Sequence, residues 1–151
     1  MSREERIEKE RLDFNEWKSS ISCSGNPSKG DDIWNVVMDG PEDSPYKGGK
    51  FKIKITFPSG YPGIKPEFEF LTPICHININ GTHICIDSLN NYNSSSSIIE
   101  LLSQIFVLLI TPNEGSAYSK YSDLYINHYT EYLAEARKMT RENAMWYLND
   151  K

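Results

Sequence analysis

The stretch from residue 75 to residue 89 reads CHININGTHICIDSL and places cysteine and histidine residues close together. Four of them are candidate zinc ligands by type: Cys75, His76, His83 and Cys85. Their spacing argues against zinc, because structural sites usually pair their ligands as C-x2-4-C and H-x3-5-H. Adjacent residues of an extended segment also point their side chains in opposite directions. We therefore predict no metal site in this stretch.

The same stretch could instead hold a cysteine nucleophile paired with a histidine base. If Asn80 and Gly81 form a two-residue hairpin turn, His76 lies opposite Cys85. An imidazole in that position could lower the thiol pKa and accept the thiol proton. A thiol protease also needs an orienting Asn or Asp and an oxyanion hole, and no local protease signature is found. The cysteine–histidine pair stays one of the alternatives.

Burial is a third interpretation of the cysteines, since a free cysteine is among the most buried residue types. This interpretation is favoured for Cys23 and Cys75. For Cys85 the pattern leaves burial and function open, because the residue stands where a strand-like run enters a long polar loop.

The elements around this stretch predict an α+β fold rather than alternating βαβ units. Predicted helices cover residues 3–18, about 98–109 and about 123–143, and predicted strands cover 33–38, 50–57 and 67–71. The segment 50–57 alternates apolar and polar residues, as expected of an antiparallel meander with one covered face and one wet face. The middle helix should have Ser96 or Ser97 as its N-cap and should end before Pro112.

Length and composition limit the classes of function. The 151 residues fit one domain, 1–151, and the net charge of −5 comes without the basic stripe that binds nucleic acid. The chain shows no apolar stretch long enough to cross a bilayer, and its first residues do not resemble a secretory leader. Three irregularly spaced cysteines do not form an even disulfide framework. We expect reduced thiols, a cytoplasmic and/or nuclear location, and no nucleic-acid or membrane partner.

Several motifs follow one another in a fixed order along the chain. They begin with RIEKERLDF and GPEDSPYKGGKFKIKITFPSGYP and go on with HIN, GTHICIDSL, TPN and EARKMTRENA. These motifs resemble those of the ubiquitin-conjugating enzymes, which have G-P-x-x-(S/T)-P-Y-x-G-G-x-F, F-P-x-x-Y-P, H-P-N and G-x-I-C-L-D-x-L in the same order. This resemblance covers nearly the whole chain. It implies the ubiquitin-conjugating (UBC) fold, with an N-terminal helix, a four-stranded antiparallel meander and C-terminal helices.

The resemblance also implies acyl transfer through a thioester. By match to G-x-I-C-L-D, Cys85 would accept ubiquitin from the activating enzyme and pass it to a substrate lysine or a ligase. No bound cofactor is implied, because ATP is used upstream by the activating enzyme. The implied partners are ubiquitin, the activating enzyme, a ubiquitin ligase and a substrate protein, and we expect a monomer. The alternatives are a catalytically inactive variant that acts as a binding scaffold, and a conjugating enzyme for another ubiquitin-like modifier.

Further site residues follow from the matched motifs. Asn78 of HIN would donate to the oxyanion of the tetrahedral intermediate, or alternatively shape the turn around it. His76 carries over as a structural residue near the site. Ser116, with Glu114 nearby, follows TPN and would help the attacking lysine to lose its proton.

Departures from the family pattern affect these expectations. Ile77 replaces the family's proline, and one residue fewer than usual separates Asn78 from Cys85. Gly63 stands where many members carry a large apolar residue that docks ligases. Tyr92 begins the segment that matches the family's W-S-P but lacks its proline. We therefore expect a more mobile loop in which Tyr92 supplies the aromatic contact.

The predicted partner surface combines the first helix with two loops, and its residues are Arg3, Arg6, Lys9, Pro62, Gly63 and Ser94. The three basic side chains would face an acidic patch on the activating enzyme, or else form an ordinary solvated helix face. The two loops would complete the surface that the activating enzyme and the ligase share.

Overall fold

The computed structural model describes residues 1–85, 87–117 and 119–149. Its helices are α1 Arg3–Trp17, α2 Asp87–Asn90, α3 Ile98–Ile110, α4 Ser122–Asn127 and α5 Tyr129–Asn143. Its strands are β1 Cys23–Ser24, β2 Ile33–Asp39, β3 Lys50–Thr56, β4 Glu67–Phe70, β5 Ile79–Asn80 and β6 His83–Ile84. Short 3-10 helices cover Lys18–Ile21, Glu114–Ser116 and Trp146–Asn149. This order of elements is that of an α+β fold.

The strands form one antiparallel sheet in the order β1-β2-β3-β4-β6-β5. The predicted meander is confirmed as β1 to β4, and the β5–β6 hairpin extends the sheet beyond it. The alternation predicted for β3 is observed too, because Phe51, Ile53 and Ile55 are fully buried while Lys52 is exposed. The inner face of the sheet therefore forms one wall of the hydrophobic core.

Helix α1 is held against this sheet by aromatic contacts. The ring centroids of Phe14 and Trp34 lie 5.7 Å apart, and those of Trp34 and Phe57 lie 4.9 Å apart. The helix begins with a capping box, in which the Ser2 hydroxyl accepts from the Glu5 N–H and the Glu5 carboxylate accepts from the Ser2 N–H. The apolar side chains Ile7 and Phe14 of α1 are thereby buried against the core, and the charged residue Glu10 is buried with them.

The loop between β2 and β3 ties the start of the sheet to the segment that leads into the hairpin. Tyr46 is almost fully buried in this loop, and its hydroxyl donates to the carbonyl oxygen of Cys75 at 2.6 Å. Gly40 allows the loop to close, since a Cβ at that position would lie 1.8 Å from the Tyr46 carbonyl oxygen. Cys75 is thereby fixed inside the core before the hairpin begins.

Helix α3 covers the core as its apolar periodicity predicts. Its N-cap is Ser97, whose hydroxyl accepts a hydrogen bond from the Glu100 N–H. Ile98, Leu102 and Ile105 are fully buried. Among the described residues, no helix combines the length and apolar character that a membrane crossing requires.

The stretch predicted as one helix over residues 123–143 is two helices. His128 separates α4 from α5 with φ −143° and ψ 59°, which lie outside the helical region. Its N–H still donates to the Leu124 carbonyl oxygen, so α4 ends in a regular last turn. The single-helix prediction was wrong because Tyr132 and Ala136 continue the apolar spacing, and that spacing carries no sign of a break in the backbone.

Candidate active site

The three cysteines lie in different surroundings. Cys23 and Cys75 are buried, with 6% and 0% of their surface exposed, whereas Cys85 is partly exposed. Burial raises the pKa of both Cys23 and Cys75 to about 12. These two thiols therefore stay protonated at neutral pH and cannot serve as nucleophiles. Cys85 is the most accessible of the three thiols.

The β5–β6 hairpin sets the position of Cys85, which directly follows β6. Ile79 pairs with Ile84, and Asn80 pairs with His83. The tight turn between these pairs uses Gly81, whose φ of +61° favours glycine.

This register corrects the hairpin proposed from the sequence. The two-residue loop is formed by Gly81 and Thr82 rather than by Asn80 and Gly81, which shifts the pairing by two residues. As a result Asn78, and not His76, lies opposite Cys85, and the Cys85 N–H donates to the Asn78 carbonyl oxygen at 2.8 Å. The turn was misplaced because an Asn-Gly pair is a strong hairpin signal that does not by itself fix the register.

His76 lies in the core with both ring nitrogens engaged. Nδ1 accepts from the Asn78 N–H at 3.0 Å, so Nε2 carries the proton and donates to the Leu108 carbonyl oxygen at 2.9 Å. Burial lowers the pKa of His76 to about 4, which keeps the ring neutral. These contacts leave neither nitrogen available to act as a base for Cys85 or as a zinc ligand.

Asn78 joins the hairpin to the segment after α3. Its Nδ2 donates to the carbonyl oxygens of Asn113 and Ser116 at 2.9 and 3.1 Å, and its Oδ1 accepts from the Asn113 N–H at 2.9 Å. The side chain is fully buried, and both amide hydrogens are used. This geometry favours the loop-shaping alternative for Asn78 over direct donation to an oxyanion, and either catalytic role stays a prediction.

The segment that Asn78 holds contains the other predicted residues. Glu114 and Ser116 belong to one 3-10 turn, and the Asn113 side chain caps it by accepting from the Gly115 N–H. On the other side, the Tyr125 hydroxyl donates to a Glu114 carboxylate oxygen at 2.7 Å. Glu114 is exposed and Ser116 is half-buried, so both remain accessible, and their part in proton transfer stays a prediction.

Cys85 borders a groove of about 480 Å³, here called the Cys85 groove. Its walls come from the segment around β4, from the hairpin and from α2, and include Ile64, Lys65, Glu67, His83, Leu89 and Asn90. The lining mixes charged, polar and apolar side chains. A groove of this kind can hold an extended polypeptide whose terminal carboxyl group reaches the thiol.

The two predicted partner loops lie together. The Tyr92 hydroxyl donates to the Pro62 carbonyl oxygen at 2.7 Å, so the loop after Cys85 is joined to the loop that contains Gly63. Arg6 donates to the Ser94 carbonyl oxygen at 2.6 Å, which brings the first helix into the same region. The loop expected to be mobile is thus bound at both Tyr92 and Ser94.

The three basic residues of α1 differ in availability. Arg3 donates to the carbonyl oxygens of Phe57 and Pro58, each at 2.8 Å, and Arg6 is bound to Glu10 and to the Ser94 loop. Lys9 forms ion pairs with Asp13 at 3.4 Å and Glu10 at 3.9 Å, but it is the most exposed of the three, with 56% of its side chain in solvent. A charge contact with a partner protein is therefore easiest at Lys9.

Two residues of this region were missed from the sequence. Glu10 is buried, and its carboxylate accepts from Arg6 and from the Ile98 N–H at the start of α3. The four-residue spacing of Arg6 and Glu10 is a signal that could have indicated their pairing. Ile64, the residue after Gly63, is 60% exposed. It supplies an apolar side chain next to the position where Gly63 replaces the family's large apolar residue.

Comparison with known proteins shows which family the chain belongs to. The family model described as ubiquitin-conjugating enzyme matches residues 6–140. A curated relative from Arabidopsis thaliana, named "Probable ubiquitin-conjugating enzyme E2 31", is 34% identical over an alignment of 130 residues that covers 84% of this chain and 84% of the relative.

Solved structures lead to the same family. The E2 domain of a Toxoplasma gondii ubiquitin-conjugating enzyme has a TM-score of 0.81 and 27% identity, covering 92% of this chain and 97% of its own. A crystal structure of a Plasmodium yoelii protein assigned to the same enzyme class has a TM-score of 0.85 and 26% identity, covering 95% and 96%. The chain therefore belongs to the ubiquitin-conjugating enzymes, transferases that act through a cysteine thioester.

Proposed function

We propose that Cys85 accepts the C-terminal carboxyl group of ubiquitin as a thioester and that the chain passes it to a lysine amine or to a ligase. The observation that carries this proposal is the contrast among the three thiols. Two are buried with strongly raised pKa values, and Cys85 borders an accessible groove at the position of the family motif. The upstream activating enzyme uses the ATP, and no bound cofactor is needed at Cys85.

The reaction consists of two acyl transfers. In the first, the Cys85 thiolate attacks the thioester carbonyl carbon of ubiquitin bound to the activating enzyme, and the thiolate of that enzyme leaves. In the second, an amine attacks the new thioester carbonyl, and the Cys85 thiolate leaves as the amide forms. The amine must lose a proton in this second step. Glu114 and Ser116 are the accessible groups on the neighbouring segment that could accept or relay it.

Asn78 supports this second step by holding the segment that carries Glu114 and Ser116. Its three side-chain hydrogen bonds fix residues 113–116 relative to the hairpin. Because the Asn78 carbonyl also accepts from the Cys85 N–H, one residue links the nucleophile to that segment. Such positioning is worth more in rate than the individual bond strengths indicate, because reactive groups must meet within a narrow geometry.

The surface for the activating enzyme and ligases is proposed to include Lys9, Ile64 and the joined loops at Pro62 and Ser94. Charge at Lys9 suits an acidic partner, and Ile64 offers an exposed apolar contact beside Gly63. Arg3 and Arg6 contribute mainly by holding the backbone of this surface. We propose that the protein works as a monomer in the cytoplasm and/or nucleus, where thiols stay reduced.

A charging assay tests the proposal. Wild-type protein is mixed with activating enzyme, ATP and ubiquitin, and the products are separated on a non-reducing gel. We expect a band that carries one ubiquitin and disappears with thiol reductant. Cys85→Ala should form no such band, and Cys85→Ser should give an oxyester that resists reductant.

Cys75→Ala is the control, because its thiol is buried and should not take part. The account is contradicted if Cys85→Ala still charges and Cys75→Ala does not. A wild-type protein that charges with no modifier would support the scaffold alternative, and charging with a different ubiquitin-like modifier alone would reassign the substrate.

A further inference from the structure

A second groove lies away from the thioester site, between the β2–β3 loop and helix α5. We call it the α5 groove, and its main lining residues are Ser44, Pro45, Lys47, Arg137, Arg141 and Met145. Its volume is about 320 Å³. It shares no lining residue with the Cys85 groove, and it contains three of the chain's cationic side chains on a protein whose net charge is −5.

The arginines of the α5 groove differ from the other arginines of the chain. Arg3, Arg6 and Arg11 each bind a carboxylate and at least one backbone carbonyl oxygen. Arg137 and Arg141 are exposed and have no hydrogen bond or ion pair to any described residue. The donors of both guanidinium groups are thus available to a ligand.

The placement of these two arginines is unfavourable without a ligand. They stand four residues apart on α5, so their like charges face each other on the helix surface and destabilise it. Lys47 adds a third positive charge from the opposite wall, and its only ion pair among the described residues is with Glu42 at 3.5 Å, where both side chains are largely exposed. An anionic ligand would relieve the repulsion and replace a weak contact.

We propose that the α5 groove binds an extended acidic segment of a partner protein, with carboxylates at alternate positions. Residues four apart on a helix are separated by about 6 Å along its axis, and alternate residues of an extended strand by about 6.6 Å. Two glutamates of such a segment can therefore each meet one guanidinium in bidentate geometry. A single phosphate group would match this spacing less well. Pro45 and Met145 provide apolar walls for the CH₂ groups of the glutamates.

An NMR titration of the whole chain tests this proposal. The probe is an octapeptide of alternating glutamate and glycine, and the matched probe replaces every glutamate with glutamine. We expect amide shifts at residues that line the α5 groove with the acidic peptide, and none with the glutamine peptide. Raising the salt concentration should weaken binding, because exposed charges are screened.

The variant Arg137→Gln/Arg141→Gln should weaken binding of the acidic peptide about tenfold, since it removes two charge pairs. Lys29→Gln/Lys138→Gln lowers the net charge by the same amount at exposed sites outside the groove, and it should change the dissociation constant less than about twofold. Removing a like-charge pair should not lower the melting temperature. A thermal melt of the arginine variant that matches wild type therefore excludes unfolding as the cause of the lost binding.

The proposal is overturned if wild type shows no shifts, or if the two double variants bind equally well. It is also overturned if inorganic phosphate alone displaces the peptide at equal concentration, since that result would indicate a single-anion subsite. None of these outcomes bears on Cys85, so the proposed function is tested separately by the charging assay.

Discussion

Asn78 and Cys85 lie opposite each other across one hairpin, and their surroundings are nearly opposite in character. Asn78 is fully buried, and its side-chain donors and acceptor all have partners in the chain. Cys85 is partly exposed and borders a groove. A single backbone hydrogen bond of 2.8 Å connects them. The comparison teaches that a reactive thiol can face solvent while the backbone that carries it is fixed to the core.

Asn78→Ala should have the largest effect on stability and on discharge. The substitution removes three hydrogen bonds between the Asn78 side chain and the backbone of Asn113 and Ser116, so the unfolding free energy should fall by about 3 kcal/mol. We expect charging to persist while discharge onto free lysine slows about 100-fold. Denaturant unfolding and single-turnover discharge measure the two effects.

Hydrogen exchange separates the two roles of Asn78. If it holds the segment, the amides of Gly115 and Ser116 should exchange faster in Asn78→Ala. If it acts only as an oxyanion donor, discharge will slow with exchange unchanged, which would contradict the positioning role. Asn80→Ala, an exposed asparagine on the same hairpin, is the control and should alter neither measurement.

His76, which is buried next to Asn78, gives the protein a pH dependence of stability. Burial lowers the pKa of His76 from 6.5 to about 4, so the unfolded chain takes up a proton at a higher pH than the native protein does. The contribution of His76 is therefore complete above pH 6.5 and is lost as the pH falls towards 4. The total loss is roughly 3 kcal/mol, and denaturant unfolding across this pH range measures it.

His76→Gln can keep a donor and an acceptor in the core without titrating, and it should flatten that part of the stability profile. Equal slopes in wild type and His76→Gln would show that His76 is not a buried neutral histidine.

On the exposed partner surface, Ile64→Ala should reduce ligase-stimulated discharge about tenfold, because an apolar anchor at an interface typically contributes about 1–2 kcal/mol of binding free energy. Discharge without a ligase should fall less, since Ile64 then acts only as one wall residue of the Cys85 groove. Ile110→Ala, an isoleucine 43% exposed at the end of α3, is the matched control. A similar loss in both variants would place the ligase contact elsewhere.

The smallest expected effect concerns Lys9. Lys9→Glu should raise the KM for charging by the activating enzyme about threefold, since an exposed ion pair contributes little. Initial charging rates over a range of activating-enzyme concentrations measure it, and Lys29→Glu should behave as wild type. An unchanged KM would leave Lys9 on an ordinary solvated face.

The fold was largely predictable because its signals are local. The alternation of Phe51, Ile53 and Ile55 and the cap at Ser97 determine a strand and a helix by themselves. The hairpin register was not predictable in this way, since the choice between Asn80-Gly81 and Gly81-Thr82 as the turn depends on how β5 and β6 pack against the core. The break at His128 likewise leaves the apolar spacing intact.

In the candidate site, too, local features could be predicted from the sequence and long-range contacts could not. The position of Cys85 could be taken from a motif, whereas the contacts of Asn78 with residues 113–116 join parts of the chain 35 to 38 residues apart. Contacts at such separation are determined by tertiary packing. The same holds for Glu10, which meets the start of α3 at a separation of 88 residues.

Alkylation mapping is the most direct test of whether Cys85 carries the thioester. Folded protein is treated with iodoacetamide before and after charging with ubiquitin, and the modified cysteines are identified by peptide mass spectrometry. We predict that Cys85 alone is alkylated before charging and that it is protected afterwards, with Cys23 and Cys75 unmodified throughout. Alkylation of Cys75 in the uncharged protein, or an unprotected Cys85 in the charged protein, would contradict the assignment of the thioester to Cys85.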